Sequence, residues 1–124
     1  MSDARHLVSV VDDDESVRES LPDLLREFGF SARAFASAED FLVSSSLSQT
    51  RCLVLDVAMP GMSGLDLQNE LLRRRRAIPI VFITAGGDES VTSRAMAGGA
   101  VACLFKPFTS AALLDAITVA LRGG

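Results

Sequence analysis

The sequence predicts an α/β domain, a (βα)5 chain folded as a doubly wound five-stranded parallel sheet of order 2-1-3-4-5. Three observations carry that prediction. Short apolar runs alternate five times with segments of helical period. Several runs are apolar throughout, which suits strands covered on both faces. The connections are short, with no internal repeat or low-complexity stretch. The order 2-1-3-4-5 sets the first and third strands side by side at a switch point, where open α/β sheets place their chemistry.

Residues 6–11 form the first expected strand, ending on Asp12-Asp13-Asp14. A helix over 15–28 follows, with Val17, Leu21, Leu24, Leu25 and Phe28 at spacings of three and four and Gly29 as its stop. Pro22 lies inside it and lacks an amide hydrogen, so a bend or weakened turn is expected. Residues 31–35 are the second strand. Ser37 caps a helix over 38–43, with Glu39 and Asp40 in its first turn. Residues 44–50 read as a polar connection. The apolar run 52–55 then ends at Asp56, and Pro60, Gly61 and Gly64 turn the chain toward a helix over 65–75. That helix offers Leu65, Leu67, Leu71 and Leu72 for packing. Residues 78–83 are the fourth strand, delivering Thr84. A permissive loop at 85–88 leads to a short helix over 89–97, closed by Gly98-Gly99. Residues 100–105 are the fifth strand and deliver Lys106-Pro107. Thr109 or Ser110 caps a last helix to about residue 121.

The 124 residues suffice for one domain with a full core. Nearly half are hydrophobic, which argues against disorder. A net charge of −4 disfavours a role in gripping nucleic acid. No apolar run approaches the ~20 residues that span a bilayer. The first residues show no secretion signal, so the expected location is cytoplasmic, without membrane attachment. Cys52 and Cys103 sit in apolar runs and read as buried free thiols. His6 is the only histidine, and no metal-ligand spacing of Cys and His occurs. A histidine triad and a zinc site are therefore poorly supported. Phe28, Phe35, Phe41 and Phe82 read as core, Asp14 as serving the first helix, and Arg73–Arg76 as a solvated helix end complementing the dipole. Gly86-Gly87 lacks the spacing of an ATP-binding loop.

In this topology Asp12, Asp13 and Asp56 converge on one pocket. Clustered carboxylates repel one another unless a cation neutralises them. Only oxygen ligands are on offer, which points to Mg²⁺. Lys106 adds a mobile cation able to pair with a phosphate, and Thr84 adds a hydroxyl. An acid pocket, a metal, a lysine and a hydroxyl around one nucleophilic carboxylate fit phosphoryl transfer onto an aspartate.

Val-Val-Asp12-Asp13-Asp14, Leu55-Asp56-Val-Ala-Met-Pro60-Gly-Met-Ser-Gly64, Ile83-Thr84-Ala85 and Lys106-Pro107-Phe108 resemble the receiver domain of two-component response regulators, with its flavodoxin-like fold. Ser-Gly-Leu after Met-Pro and Ala-Gly-Gly-Asp after Thr84 look most like the FixJ-type branch. The resemblance covers essentially the whole chain. It implies a signalling phosphoacceptor, not a classical enzyme, that assists its own phosphotransfer and dephosphorylation. Asp56 would be the phosphoacceptor. Asp13, Asp56 and the Ala58 backbone carbonyl would hold Mg²⁺, with Asp12 helping through water. Lys106, Thr84 and Ala85 would serve the phosphoryl group, Thr84 moving toward it and pulling on the loop and helix beyond. The Lys106–Pro107 bond is expected to be cis. The implied partners are a sensor histidine kinase and, when phosphorylated, a second copy of the chain. The helix at 89–98 and the strand at 100–105 would form the output surface, with Ala95, Met96 and Val101 as its apolar part. The FixJ-type resemblance suggests a helix-turn-helix domain following in a longer parent regulator, and so control of transcription through that domain.

One position departs from the family. Receivers usually carry Phe or Tyr three residues before the lysine, and here that residue is Cys103. Strand alternation puts Phe105 on the same face. The expectation is that Phe105 partly covers the surface the missing ring would occupy and that coupling to Thr84 is altered; the simpler alternative is that Cys103 only packs. Two other functions fit the residues less well. An aspartyl-nucleophile phosphatase needs an acid two residues after the nucleophile, where this chain has Ala58. A flavodoxin-like cofactor binder needs a hydroxyl-rich loop after the first strand, where this chain has three aspartates.

Overall fold

A computed structural model describes residues 5–86 and 88–123. Its five strands are β1 (Leu7–Val11), β2 (Ser31–Phe35), β3 (Thr50–Asp56), β4 (Ile80–Thr84) and β5 (Ala102–Phe105). They form one parallel sheet in the order β2-β1-β3-β4-β5. The helices are α1 (Glu15–Glu27), α2 (Ala38–Leu42), α3 (Gly64–Arg73), α4 (Glu89–Ala97) and α5 (Ser110–Gly123). The fold class and strand order are those the sequence predicts.

Strand alternation divides the core into two layers. Leu53 and Leu55 of β3 and Phe82 of β4 face a layer with Phe41, Leu67, Leu71 and Ala95, beneath α2, α3 and α4. Cys52 and Val54 of β3 and Val81 and Ile83 of β4 face the other layer, with Leu21, Leu25, Leu113 and Ile117 of α1 and α5. Both faces of β3 are covered, which is why its sequence is a continuous apolar run.

Several expectations need correction. Phe28 is 52% exposed: it caps α1 beyond the last turn, while Leu25 takes the inward position and Phe30 packs against that layer. Leu72 is 56% exposed, because Leu67 and Leu71 fill the buried face of α3. α3 stops at Arg73, and Arg75 adopts a left-handed φ of 59° that closes the helix two residues before the expected end. β4 and β5 each begin two residues later than expected. The segment 44–50 holds a 3-10 turn at Ser45–Ser48, and Thr50 already belongs to β3. Thr50 is buried, donating from Oγ1 to the Ser46 carbonyl at 2.7 Å and lying 2.7 Å from Ser9 Oγ. α1 runs through the buried Pro22 without a break in its assignment. Gly87 and the first four residues lie outside the described residues, as does Gly124.

Candidate functional site

The carboxyl ends of β1, β3, β4 and β5 meet at one edge of the sheet. β1 ends one residue before Asp12, and β3 ends on Asp56. Because β1 and β3 are neighbours, carboxylate oxygens of Asp12, Asp13 and Asp56 lie within 4.8 Å of one another. Asp12 is fully buried, Asp56 nearly so, and Asp13 is exposed. Lys106, directly after β5, reaches back with Nζ 3.0 Å from Asp12 Oδ2 and 4.0 Å from Asp56 Oδ1. Thr84 ends β4, and its Oγ1 accepts from the Gly86 amide at 3.4 Å. Thr84, Ala85, Gly86, Asp88 and Val91 line a pocket of about 310 Å³ with Asp56, Ala58 and Lys106.

Local structure holds these groups in place. The Asp14 amide donates to Asp12 Oδ1 at 2.9 Å, while the Asp14 carboxylate caps α1 by accepting from the Ser16 amide. The Ser16 hydrogen bonds hold the Asp14 carboxyl below its ordinary value, consistent with a capping role. Arg18 donates to the Asp12 carbonyl at 3.1 Å. Behind Asp56, Gly64 is pressed against the strand end: a Cβ there would run into the Asp56 carbonyl oxygen. The Gly64 amide donates to the Val57 carbonyl at 2.8 Å, and Ser63 and Asp66 close a capping box on α3. Glu39 of α2 accepts from the Met62 amide at 3.1 Å and steadies the same loop from the other side. No sequence signal marks Glu39 or Arg18 as a support. Glu39 and Met62 lie 23 residues apart and no local spacing links them. The Lys106–Pro107 bond is cis.

The electrostatics favour a bound cation. Burial, then the neighbouring Asp12 charge, pushes the Asp56 carboxyl up to about 7, against the opposing pull of Lys106. Burial works against the Lys106 charge, but its hydrogen bond to Asp12 and the nearby carboxylates outweigh that and raise its pKa. One ammonium thus faces three carboxylates. The donors are all oxygen, two of them in buried residues, and a divalent ion would relieve their repulsion. The set fits a hard cation such as Mg²⁺.

The two cysteines differ. Cys52 is fully buried, and burial pushes its thiol up to about 12. Cys103 is only half-buried, contrary to expectation, with Sγ 3.9 Å from Thr92 Oγ1 of α4. It lies on the short edge strand β5, and α4 covers it only in part. The Phe105 side chain is half exposed and rests against Gly86. On the expected output surface Met96 is exposed and Val101 half-buried, but Ala95 is fully buried under α4 and offers no surface. Glu70 ties down Arg73 and Arg74, and Arg76 lies beyond α3, so only part of the arginine run ends the helix.

A family model described as "Response regulator receiver domain" matches residues 8–118. Nodulation protein W of Bradyrhizobium diazoefficiens is 53% identical over 114 residues, covering 92% of this chain and 50% of that protein. Transcriptional regulatory protein FixJ of Azorhizobium caulinodans is 40% identical over 114 residues, covering 92% of this chain and 54% of that protein. Among solved structures, response regulator StyR superposes with a TM-score of 0.89 at 53% identity, over 96% of this chain and 60% of that one. The chain therefore spans about half the length of the curated relatives it matches.

Proposed function

Since the chain belongs to the response regulator receiver domain family, we propose that it accepts a phosphoryl group on Asp56 from a phosphohistidine of a sensor kinase. The observation that carries this reading is the gathering of Asp12, Asp13, Asp56 and Lys106 at one sheet edge, with Asp56 beside an open pocket. Asp12, Asp13, Asp56 and the Ala58 carbonyl are the groups that would hold Mg²⁺. When bound, the ion supplies charge neutralisation for the acceptor and the incoming phosphoryl oxygens.

An Asp56 carboxylate oxygen forms the new O–P bond as the P–N bond of the phosphohistidine breaks. The imidazole leaves and takes a proton from solvent. Lys106, released from part of its pairing with Asp12, turns toward the phosphoryl oxygens. The Thr84 hydroxyl gives up the Gly86 amide and donates to the same group, and the loop at Ala85 follows it. Phosphorylation then biases an existing equilibrium between two arrangements. α4 and β5 carry the output, with Met96 and Phe105 as exposed apolar residues on them, and a second phosphorylated copy is the partner they fit. Water attack on the acyl phosphate resets the switch. In a longer parent regulator in the cytoplasm, this domain would control transcription through a DNA-binding domain; the FixJ relative is named a transcriptional regulatory protein.

Incubation with radiolabelled acetyl phosphate and Mg²⁺ tests the assignment. The native chain is expected to label and Asp56→Asn to stay unlabelled, with EDTA abolishing the signal. Full labelling of Asp56→Asn would overturn the assignment.

A further inference from the structure

Helix α4 is held unevenly. Among the described residues its only fully buried side chain is Ala95, in its last turn. The Ala95 carbonyl accepts two hydrogen bonds, from the Ala100 amide at 3.1 Å and from Gln68 Nε2 of α3 at 3.0 Å. Gln68 is itself buried, which is uncommon for a glutamine unless its amide is satisfied. Its amide lies flat on Gly98, the cap residue of α4: a Cβ at Gly98 would come within 2.6–2.8 Å of the three terminal atoms of Gln68. With glycine at this position the Gln68 amide keeps its seat; a methyl there would displace it.

Among the described residues the N-terminal half of α4 is held less firmly, with Val91 packed only in part against the core. Asp88, Glu89 and Ser90 are exposed. Val91 is half-buried and borders the pocket of about 310 Å³ that opens onto Asp56. The contact from Thr92 to β5 is a 3.9 Å approach to the Cys103 sulfur, a weak partner. One end of the helix is pinned through a buried amide, and the other lies beside free volume.

We propose that Gln68 is a positioning residue that pins the C-terminal end of α4, so that α4 swings about that end and its N-terminal half takes up the displacement when Asp56 is phosphorylated. The swing rests on the function proposed above; the pin does not. Val91 moves relative to the pocket, while Ala95 and Gly98 hold their places. Displacement at the Thr84–Gly86 loop is thereby converted into a tilt of α4 rather than a translation.

Two variants test this in the full chain. Gln68→Met keeps length and apolar bulk but removes the amide donor, and Gly98→Ala pushes the Gln68 amide away from its seat. In the unmodified chain, hydrogen exchange at the Gly98, Gly99 and Ala100 amides is expected to quicken by about tenfold in both variants. Exchange at Val10 and Val54 should change little, which separates loss of a pin from general destabilisation. With acetyl phosphate and Mg²⁺, native amide-shift changes along α4 should be largest at Ser90–Thr92 and small from Ala95 to Gly98. In Gln68→Met they should extend through Gly99. Unchanged exchange at 98–100 in both variants would overturn the pin, and uniform native changes along α4 would overturn the swing. If acetyl phosphate leaves native Asp56 unlabelled, the proposed function fails and the swing with it. The exchange measurements still decide the pin.

Discussion

Asp56→Asn should stabilise the metal-free fold, and by an amount that depends on pH. The Asp56 side chain is 8% exposed. Its carboxyl is raised from 3.8 to about 7, first by burial and then by the charge of Asp12. A folded-state value above the unfolded one means that the neutral form is favoured by folding. That contribution is complete below about pH 4 and is lost as pH rises through about 7. At about 1.4 kcal/mol per pH unit, the ionised folded chain at pH 8 carries a penalty on the order of 4 kcal/mol at most. The charges of Asp12 and Lys106 act on this carboxyl in opposite directions, so about 2–4 kcal/mol is expected. Asparagine has a similar shape and no charge at any pH, and should recover that amount. Urea unfolding in EDTA from pH 4.5 to 8 reads it directly: the gain for Asp56→Asn should be small at pH 4.5 and full at pH 8. Millimolar Mg²⁺ should stabilise the native chain at pH 8 and narrow the gap, since a ligand of the folded state adds stability by mass action. A gain independent of pH, or a variant less stable than the native chain at pH 8, would refute the electrostatic reasoning.

Four further outcomes follow from the packing. Gly64→Ala drives a methyl into the Asp56 carbonyl and should cost about 2–3 kcal/mol in urea unfolding, with slower acetyl phosphate labelling as the strand end shifts. Lys106→Met leaves the fully buried Asp12 carboxylate without its cation; in EDTA at pH 7 a loss of about 1–3 kcal/mol is expected, and no loss would show that the pair at 3.0 Å contributes nothing. In native protein an aromatic disulfide reagent should modify Cys103 and spare Cys52 until urea unfolds the chain. The Cys52 thiol, raised from 9.0 to about 12 by burial, should also make stability fall as pH rises from about 9 toward 12.

The elements whose character was legible are those where one local signal suffices. Continuous apolar runs at 52–55 and 78–83 announced strands buried on both faces, and the parallel sheet followed from their alternation with helices; the order 2-1-3-4-5 is one of the doubly wound orders that such alternation allows, and it is the one found. Asp12, Asp13, Asp56 and Lys106 could be assigned to one edge because each directly follows or closes a strand, and parallel strands deliver their ends to the same side. The Ser37 cap is equally local.

Which side of a helix meets the sheet, and what lies opposite it, is not a local property. Leu72 and Leu71 are identical in sequence terms, yet only Leu71 is buried, because the rotation of α3 is set by its fit against the Leu55–Phe82 layer. Phe28 carries a core-like side chain but falls beyond the turn that Gly29 closes. Gln68 carries no local signal, and only the approach of α4 makes it buried and bonded to Ala95. Sequence therefore determined the strands, their parallel arrangement and the acidic edge, since those depend on period and chain direction. Tertiary structure decided the rotation of each helix and the joint between α3 and α4, since those depend on surfaces far apart in the chain.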